Sequence, residues 1–175
     1  MKTIELTRDA KTIVDDIDYV YLKEHKWFLG KNGRLRYAQR QIRDRVVLNK
    51  RGEKKCIHVS MHRVIMQAPK GVNIDHIDGD GLNNRRGNLR LSTHSQNLWN
   101  QRSKKRFKGV FCAGKKWRVC ITASGITHHL GSFTQEIAAA KEYDKLAKIL
   151  HGEFACLNFP ENSLSDNYSV LKGLR

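Results

Sequence analysis

Apolar and polar positions along this chain repeat at two periods, and the segments where each holds predict its elements. Over residues 31–60 the period is two: Leu35 and Tyr37 alternate with Arg34 and Arg36, Val46, Val47 and Leu48 form a β-branched run, and residues 56–59 alternate again. Asn32-Gly33 marks a tight turn, so this stretch reads as strands. Residues 12–30 read as a short strand and then a helix capped by Asp15 or Asp16. Ile17, Val20 and Tyr21, with Trp27 beyond, form an apolar stripe expected in the core. Residues 60–68 read as a second helix with Val64 and Ile65 packed inward, stopped by Pro69 and Gly71.

Further on, Gly109-Val110-Phe111, residues 117–122 and residues 128–133 are strand-like, with Ser124-Gly125 as a turn. Residues 134–150 read as a helix in which Ala139, Tyr143, Leu146 and Leu150 recur at spacings of four, three and four. Between the two patterned regions lies NIDHIDGDGLNNRRGNLRLSTHSQN, residues 73–97. It holds an acid beside a histidine at Asp75-His76, a polar loop over residues 78–87, Asn88, a strand-like run over residues 89–92, and a helix start. Thr93 followed three residues later by Gln96 is a capping box, so the helix begins near His94 and carries Asn97 in its first turn. Strand, loop, strand and helix in that order can bring Asp75, His76, Asn88 and Asn97 round one point.

Those residue types suit phosphodiester hydrolysis. Near neutral pH the reaction needs a base to activate water and a hard cation to neutralise charge on the phosphate and the leaving oxygen. Histidine has the pKa for the first task, and a carboxylate with an amide oxygen suits Mg²⁺ or Mn²⁺. The Asp-x-Asp-Gly run also suggests a calcium loop, but position twelve from either Asp75 or Asp78 lacks the bidentate Glu that such a loop requires.

Charge narrows the partner. The formal net charge is +16 over 175 residues, and it is unevenly placed. Residues 1–30 hold 5 basic and 6 acidic side chains, whereas residues 31–70 hold 12 and 2. A polyanion is the expected partner, held by a basic sheet ahead of the motif in which Arg34, Arg36, Arg40, Arg43, Arg45, Lys54 and Lys55 are candidate contacts. No apolar run is long enough to cross a bilayer and residues 1–10 lack a signal-peptide core, so a soluble cytoplasmic protein without membrane contact is expected. Cys56, Cys112, Cys120 and Cys156 form no C-x-x-C pair and read as buried or half-buried thiols with no structural metal.

The ordered set Asp75, His76, Asn88 and Asn97, with Met61-His62-Arg63 upstream, resembles the HNH endonuclease family in its phage and intron-encoded homing subgroup. The resemblance implies a ββα-metal unit over residues 61–102, with His76 as general base, Asp75 and Asn97 as ligands of one Mg²⁺ or Mn²⁺, and Asn88 orienting the histidine ring. It assigns His62 no catalytic role. Residues 107–160 resemble the AP2 DNA-binding domain in Phe107 to Val110 (FKGV), Lys115 to Arg118 (KKWR), Leu130 to Phe133 (LGSF), Ala138 to Ala140 with Tyr143-Asp144, and Leu157 to Pro160 (LNFP). That resemblance implies a three-stranded antiparallel sheet and helix that enter a major groove, with Lys108, Lys116 and Arg118 as contacts. It departs from plant-type members at Phe111, Cys120, Thr122, Thr127 and His129.

The expected whole is an α+β chain: a basic N-terminal region over residues 1–60, the nuclease unit, a basic linker at residues 103–106, the AP2-like domain, and a tail over residues 161–175. The expected function is metal-dependent cleavage of double-stranded DNA at selected sites, with no obligate protein partner. Its rival is a non-cleaving DNA-binding regulator with a vestigial nuclease unit. An RNA-processing nuclease fits less well, because duplex RNA hides its major groove from such a sheet.

Overall fold

A computed structural model describes residues 1–32, 35–48, 50–52 and 54–160, with the side chains of residues 31–32, 43–48 and 54–56 left aside. It is a mixed α+β structure of small sheets and few helices in two compact units, Met1–Asn97 and Leu98–Arg175.

The first unit opens with a hairpin of β1 (Lys2–Glu5) and β2 (Lys11–Val14), followed by α1 (Asp16–Leu22). A three-stranded antiparallel sheet follows: β3 (Phe28–Asn32), β4 (Leu35–Leu48) and β5 (Lys54–Ser60), in the order β3-β4-β5. The alternation read as separate strands belongs to one long β4, which keeps its pairing with β5 across a register shift between Ile42 and Val47. Next come α2 (Met61–Met66), the antiparallel pair β6 (Asn73–His76) and β7 (Leu89–Ser92), and α3 (His94–Asn100). One core runs from Ile4 and Val14 through Leu22, Trp27, Ala38, Met61 and Ile65 to Ile74, Leu82 and Leu89. The N-terminal region and the motif therefore share a single interior.

The apolar stripe expected on α1 is not core. Ile17 is 74% exposed, Val20 63% and Tyr21 38%, while the helix buries Asp18 and Leu22, one turn apart on its other face. Arg86 is the physical reason: its Nε and Nη2 donate to Asp18 Oδ2 and Oδ1 at 2.9 and 2.8 Å, and Tyr21 Oη adds a bond to Oδ1 at 3.1 Å. A carboxylate so paired can be buried, and its burial sets the helix rotation. Asp15 is the N-cap by position, but its carboxylate accepts the Arg86 N–H at 2.8 Å instead of capping its own helix. Trp27 is buried as expected, its indole N–H donating to the carbonyl of Leu22.

The second unit holds β8 (Val110–Ala113), β9 (Lys116–Ala123) and β10 (Ile126–Phe133) as an antiparallel sheet in the order β10-β9-β8, followed by α4 (Glu136–His151). Ala139, Tyr143 and Leu146 are buried against the sheet and Leu150 packs beside them, so the stripe read from spacing is the core face. Ala140 and Ala147 join them, which brings the helix close to Val110, Val119 and Ile121. Among the described residues no helix is long and apolar enough to cross a membrane. The expected tail at residues 161–175 and the turn at Gly33 lie outside the described residues.

Candidate functional site

The site is built on the β6–β7 pair and the loop between its strands. Register sets Asp75 opposite Arg90 and His76 opposite Leu89, and all three residues of β6 from Ile74 to His76 are buried. A strand buried on both faces can hold a charge only beside a partner. Arg90 supplies it: its Nε and Nη2 both reach Asp75 Oδ2, at 2.9 and 2.8 Å.

The loop is tied by its own polar side chains. Asp78 Oδ1 accepts the Asp80 N–H at 2.8 Å and Asn88 Nδ2 at 2.9 Å, and Asp78 Oδ2 accepts Asn83 Nδ2 at 2.6 Å. Burial would raise the Asp78 pKa, but the bonds from Asn83, Asp80 and Asn88 outweigh it and hold the carboxyl below its ordinary value. Asn88 Oδ1 in turn accepts the Asp78 N–H at 3.1 Å, and its Nδ2 also donates to the Asn83 carbonyl at 2.8 Å. The backbone closes the same ring, with the Ile77 N–H on the Asn88 carbonyl at 2.9 Å. Gly81 lets the loop lie against β4, because a Cβ there would fall 2.3 Å from the Arg36 carbonyl and 2.7 Å from the Tyr37 ring.

His76 is 6% exposed. Burial pushes its pKa down, against the opposing pull of the neighbouring Asn84 amide and the charges of Asp78, Asp75 and Asp80. A ring kept neutral at pH 7 has the protonation state a base requires. His62 and Tyr37 pack round it, with ring centroids 5.1 Å from His76 to His62, 5.9 Å to Tyr37, and 5.4 Å between those two.

His62 is pushed down to about 3, by burial first and then by His76 and Arg63. Since the fold disfavours its protonated form, its stabilising contribution is complete above the ordinary pKa of 6.5 and is lost as pH falls from there toward 3. Denaturant titration is expected to show about 2 kcal/mol less stability at pH 5 than at pH 7 from this group, at roughly 1.4 kcal/mol per pH unit below 6.5. His62→Phe is expected to flatten that slope. An identical pH dependence in the variant would refute the assignment.

The residues expected at the site are placed as follows. Asp75 and His76 stand together at the end of β6, and Asn88 joins the pair through the Ile77 backbone. The Asn88 side chain, expected to orient the histidine ring, is spent on Asp78 and Asn83. Asn97 is half-buried in the first turn of α3, whose capping box forms as read: the Thr93 N–H donates to Gln96 Oε1 at 2.8 Å and the Gln96 N–H to Thr93 Oγ1 at 3.2 Å. Among the described residues no three His, Cys, Asp or Glu gather round one point. Asp75 and Asn97 carry a carboxylate and an amide oxygen, the hard donor types that divalent cations take, and Asp75 Oδ2 is paired with Arg90. Asn84, Arg90 and Tyr37 were not singled out as site residues, and His62 was named upstream of the motif without a catalytic role. Of these only Arg90 left a trace, as the polar position opposite Asp75 in a hairpin.

Of the candidate DNA contacts, Arg36, Lys116 and Arg118 are exposed. Arg40 is half-buried with its guanidinium 5.7 Å from the Trp27 ring centre. Lys108 is not free to meet a phosphate: its amine donates to the carbonyls of Leu98, Trp99 and Gln101, holding the C-terminal end of α3. Arg34 and the side chains of Arg43, Arg45, Lys54 and Lys55 lie outside the described residues. Cys112 is exposed rather than buried, Cys120 and Cys156 are half-buried, and the Cys120 thiol lies 3.1 Å from His129 Nδ1 on the sheet of the second unit.

Comparison with known proteins agrees with this chemistry. A family model described as HNH endonuclease matches residues 60–98. A protein of Acanthamoeba polyphaga mimivirus, described as an uncharacterized HNH endonuclease, is 31% identical over 140 residues, which span 78% of this chain and 68% of that protein. Protein 3.8 of Escherichia phage T7 is 38% identical over 93 residues, 50% of this chain and 76% of its own length.

Proposed function

The chain belongs to the HNH endonuclease family and is a nuclease, and from that premise we propose that it cuts double-stranded DNA at selected sites as a homing-type enzyme. In this reading β6, β7 and α3 form the ββα-metal unit, Asp75 and Asn97 hold one divalent cation, Mg²⁺ or Mn²⁺, and His76 is the general base. HNH nucleases generally use a divalent metal ion.

The observation that carries the reading is the placement of His76: a buried imidazole beside Asp75, next to a loop tied by the bonds of Asp78 to Asn83 and Asn88. His76 takes the proton from the attacking water. The bound cation supplies charge neutralisation at the phosphate and at the departing oxygen. Arg90 keeps the Asp75 carboxylate fixed, and the Asp78, Asn83 and Asn88 bonds hold the loop that carries both acid and base.

Grip on DNA is assigned to the basic sheet of the first unit through Arg36 and Arg40, and to the outward face of the AP2-like sheet through Lys116 and Arg118. On that face Thr122 and Thr127 bond each other at 2.9 Å beside the Cys120–His129 pair, a surface unlike the arginine- and tryptophan-lined one of plant-type AP2 domains. Two such modules on one chain raise each other's effective concentration on a duplex.

Incubating the chain with a randomised duplex pool, with and without Mg²⁺ or Mn²⁺, separates a cutter from a regulator. New ends clustered at one sequence only when metal is present are expected. Enrichment of a bound sequence with every duplex intact would favour the non-cleaving regulator.

A further inference from the structure

The helix that carries Asn97 has little of its own to hold it. α3 runs for seven residues, too few to be stable by themselves, and none of them is buried, so no core face fixes its place. Its start is closed by the Thr93–Gln96 capping box, and the Asn97 N–H donates to the Thr93 carbonyl at 3.1 Å. Its end is the weaker half. The last carbonyls of a helix have no partner within it, and α3 has no basic residue in its last turn to meet them. Asn97 is also where the first compact unit stops, so the turn from Leu98 onward belongs to the second.

That turn is met from within the second unit. The Lys108 amine donates to the carbonyls of Trp99, of Gln101 at 2.7 Å and, more weakly, of Leu98 at 3.4 Å, which places a cation on the negative end of the helix. Lys108 is itself held at both backbone groups by Asn158: its N–H donates to Asn158 Oδ1 at 2.7 Å, and its carbonyl accepts Asn158 Nδ2 at 3.2 Å. Asn158 is fixed in turn, its N–H donating to Oδ1 of the buried Asp144 at 2.8 Å. In the same turn of α3 the Trp99 ring lies flat on His151, with centroids 4.4 Å apart and planes 7° apart. His151 is buried, and its Nε2–H donates to the Thr122 carbonyl at 3.0 Å, so the stack rests on β9. A surface lysine ordinarily keeps its amine in water, whereas this one spends it on three carbonyls at one helix end.

We propose that Lys108 is a positioning residue for Asn97: its amine closes the C-terminal end of α3 and, with the Trp99–His151 stack, keeps helical the turn from which the Asn97 amide is presented to the cation. The metal donor is the last residue of the first unit, while the groups that hold the end of its helix are residues of the second. Completeness of the cation site therefore depends on side chains outside the motif. The basic residue at 108 has a task in cleavage without touching a phosphate. That task rests on the reading of Asn97 as a metal donor, because only then does the order of its turn affect the bound ion.

Lys108→Met in the full chain tests this, since it keeps the aliphatic stem and removes the donors. Hydrogen exchange at the Asn97 and Gln101 amides, whose partners are the Thr93 and Leu98 carbonyls, is expected to speed up about tenfold or more. Mn²⁺ affinity on a duplex that the chain cannot cut, read by electron paramagnetic resonance, is expected to fall about tenfold. Duplex affinity and its dependence on salt are expected to stay the same, because the amine neutralises no phosphate. Lys108→Arg, which can still donate to the carbonyls, is expected to recover most of both losses. Exchange rates and Mn²⁺ affinity equal to those of the unaltered chain would overturn the proposal, and weaker duplex binding with a shallower salt dependence would make Lys108 a phosphate contact instead. Asn97→Ala separates the two readings. If it weakens Mn²⁺ binding and Lys108→Met does not, only the positioning role falls; if it leaves Mn²⁺ binding intact, the donor reading falls and the positioning role with it. Should Lys108→Met not fold, Trp99→Leu removes the stack and leaves the amine in place, and the absence of any loss in the same two measurements would overturn the proposal.

Discussion

Replacing His76 with alanine is expected to lower the rate of DNA cleavage about 10²- to 10⁴-fold under single-turnover conditions, the contribution of a well-placed general base. That is roughly 3–5 kcal/mol of transition-state stabilisation at about 1.4 kcal/mol per decade. Band-shift affinity is expected to stay the same, because His76 is buried and DNA affinity is assigned to Arg36, Lys116, Arg118 and their neighbours. Melting should shift little, since Tyr37 and His62 remain to close round the missing ring. Equal loss of binding and cleavage would mean that His76 acts on structure rather than on water.

Gly109→Ala is expected to produce the largest loss of stability of any single methyl added to the second unit. Gly109 has φ of +73°, which an L residue adopts only under strain. A Cβ there would fall 2.0 and 2.2 Å from carbons of the Tyr143 ring and 2.8 Å from the Cys120 carbonyl. Tyr143 is 3% exposed in the core beneath the sheet and cannot swing aside, and the Gly109 carbonyl is itself held by the Cys120 N–H at 3.0 Å. Strain and overpacking together are expected to cost about 2–4 kcal/mol, which for a unit of this size lowers the melting temperature by roughly 10–20 °C. Thermal unfolding of the full chain followed by tryptophan fluorescence and circular dichroism checks this. A shift of a degree or two would show that the close approach of Gly109 to Tyr143 is mistaken.

The order of elements was readable where one local signal fixes it. Thr93 and Gln96 set the start of α3 because both halves of a capping box lie within four residues, and the spacing of Ala139, Tyr143 and Leu146 sets the buried face of α4 because a helix on a sheet has one. The rotation of α1 was not readable. Its three large apolar residues face solvent because Asp18 finds Arg86, a partner 68 positions away, and periodicity carries no information about that.

The site divides in the same way. Asp75 and His76 were legible as an adjacent acid and base, but the shares of Asn83, Asn84 and Asn88 were not, because all three are ordinary residues of a polar loop. Only the folded loop assigns Asn88 to Asp78 and Asn84 to Thr12. Lys108 is a similar case: in the sequence it is one more basic residue of a DNA-binding chain, and in the fold its amine is occupied by three carbonyls at the end of α3.

The claim on which the rest depends is that Asp75 and Asn97 hold the cation beside which His76 works. Electron paramagnetic resonance counts Mn²⁺ bound to the chain on a duplex it cannot cut, and the same titration on Asp75→Asn and Asn97→Ala measures what each donor contributes. One ion per chain is predicted, with affinity falling about tenfold or more in either variant. Unchanged stoichiometry and affinity in both variants would place the metal elsewhere and contradict the account.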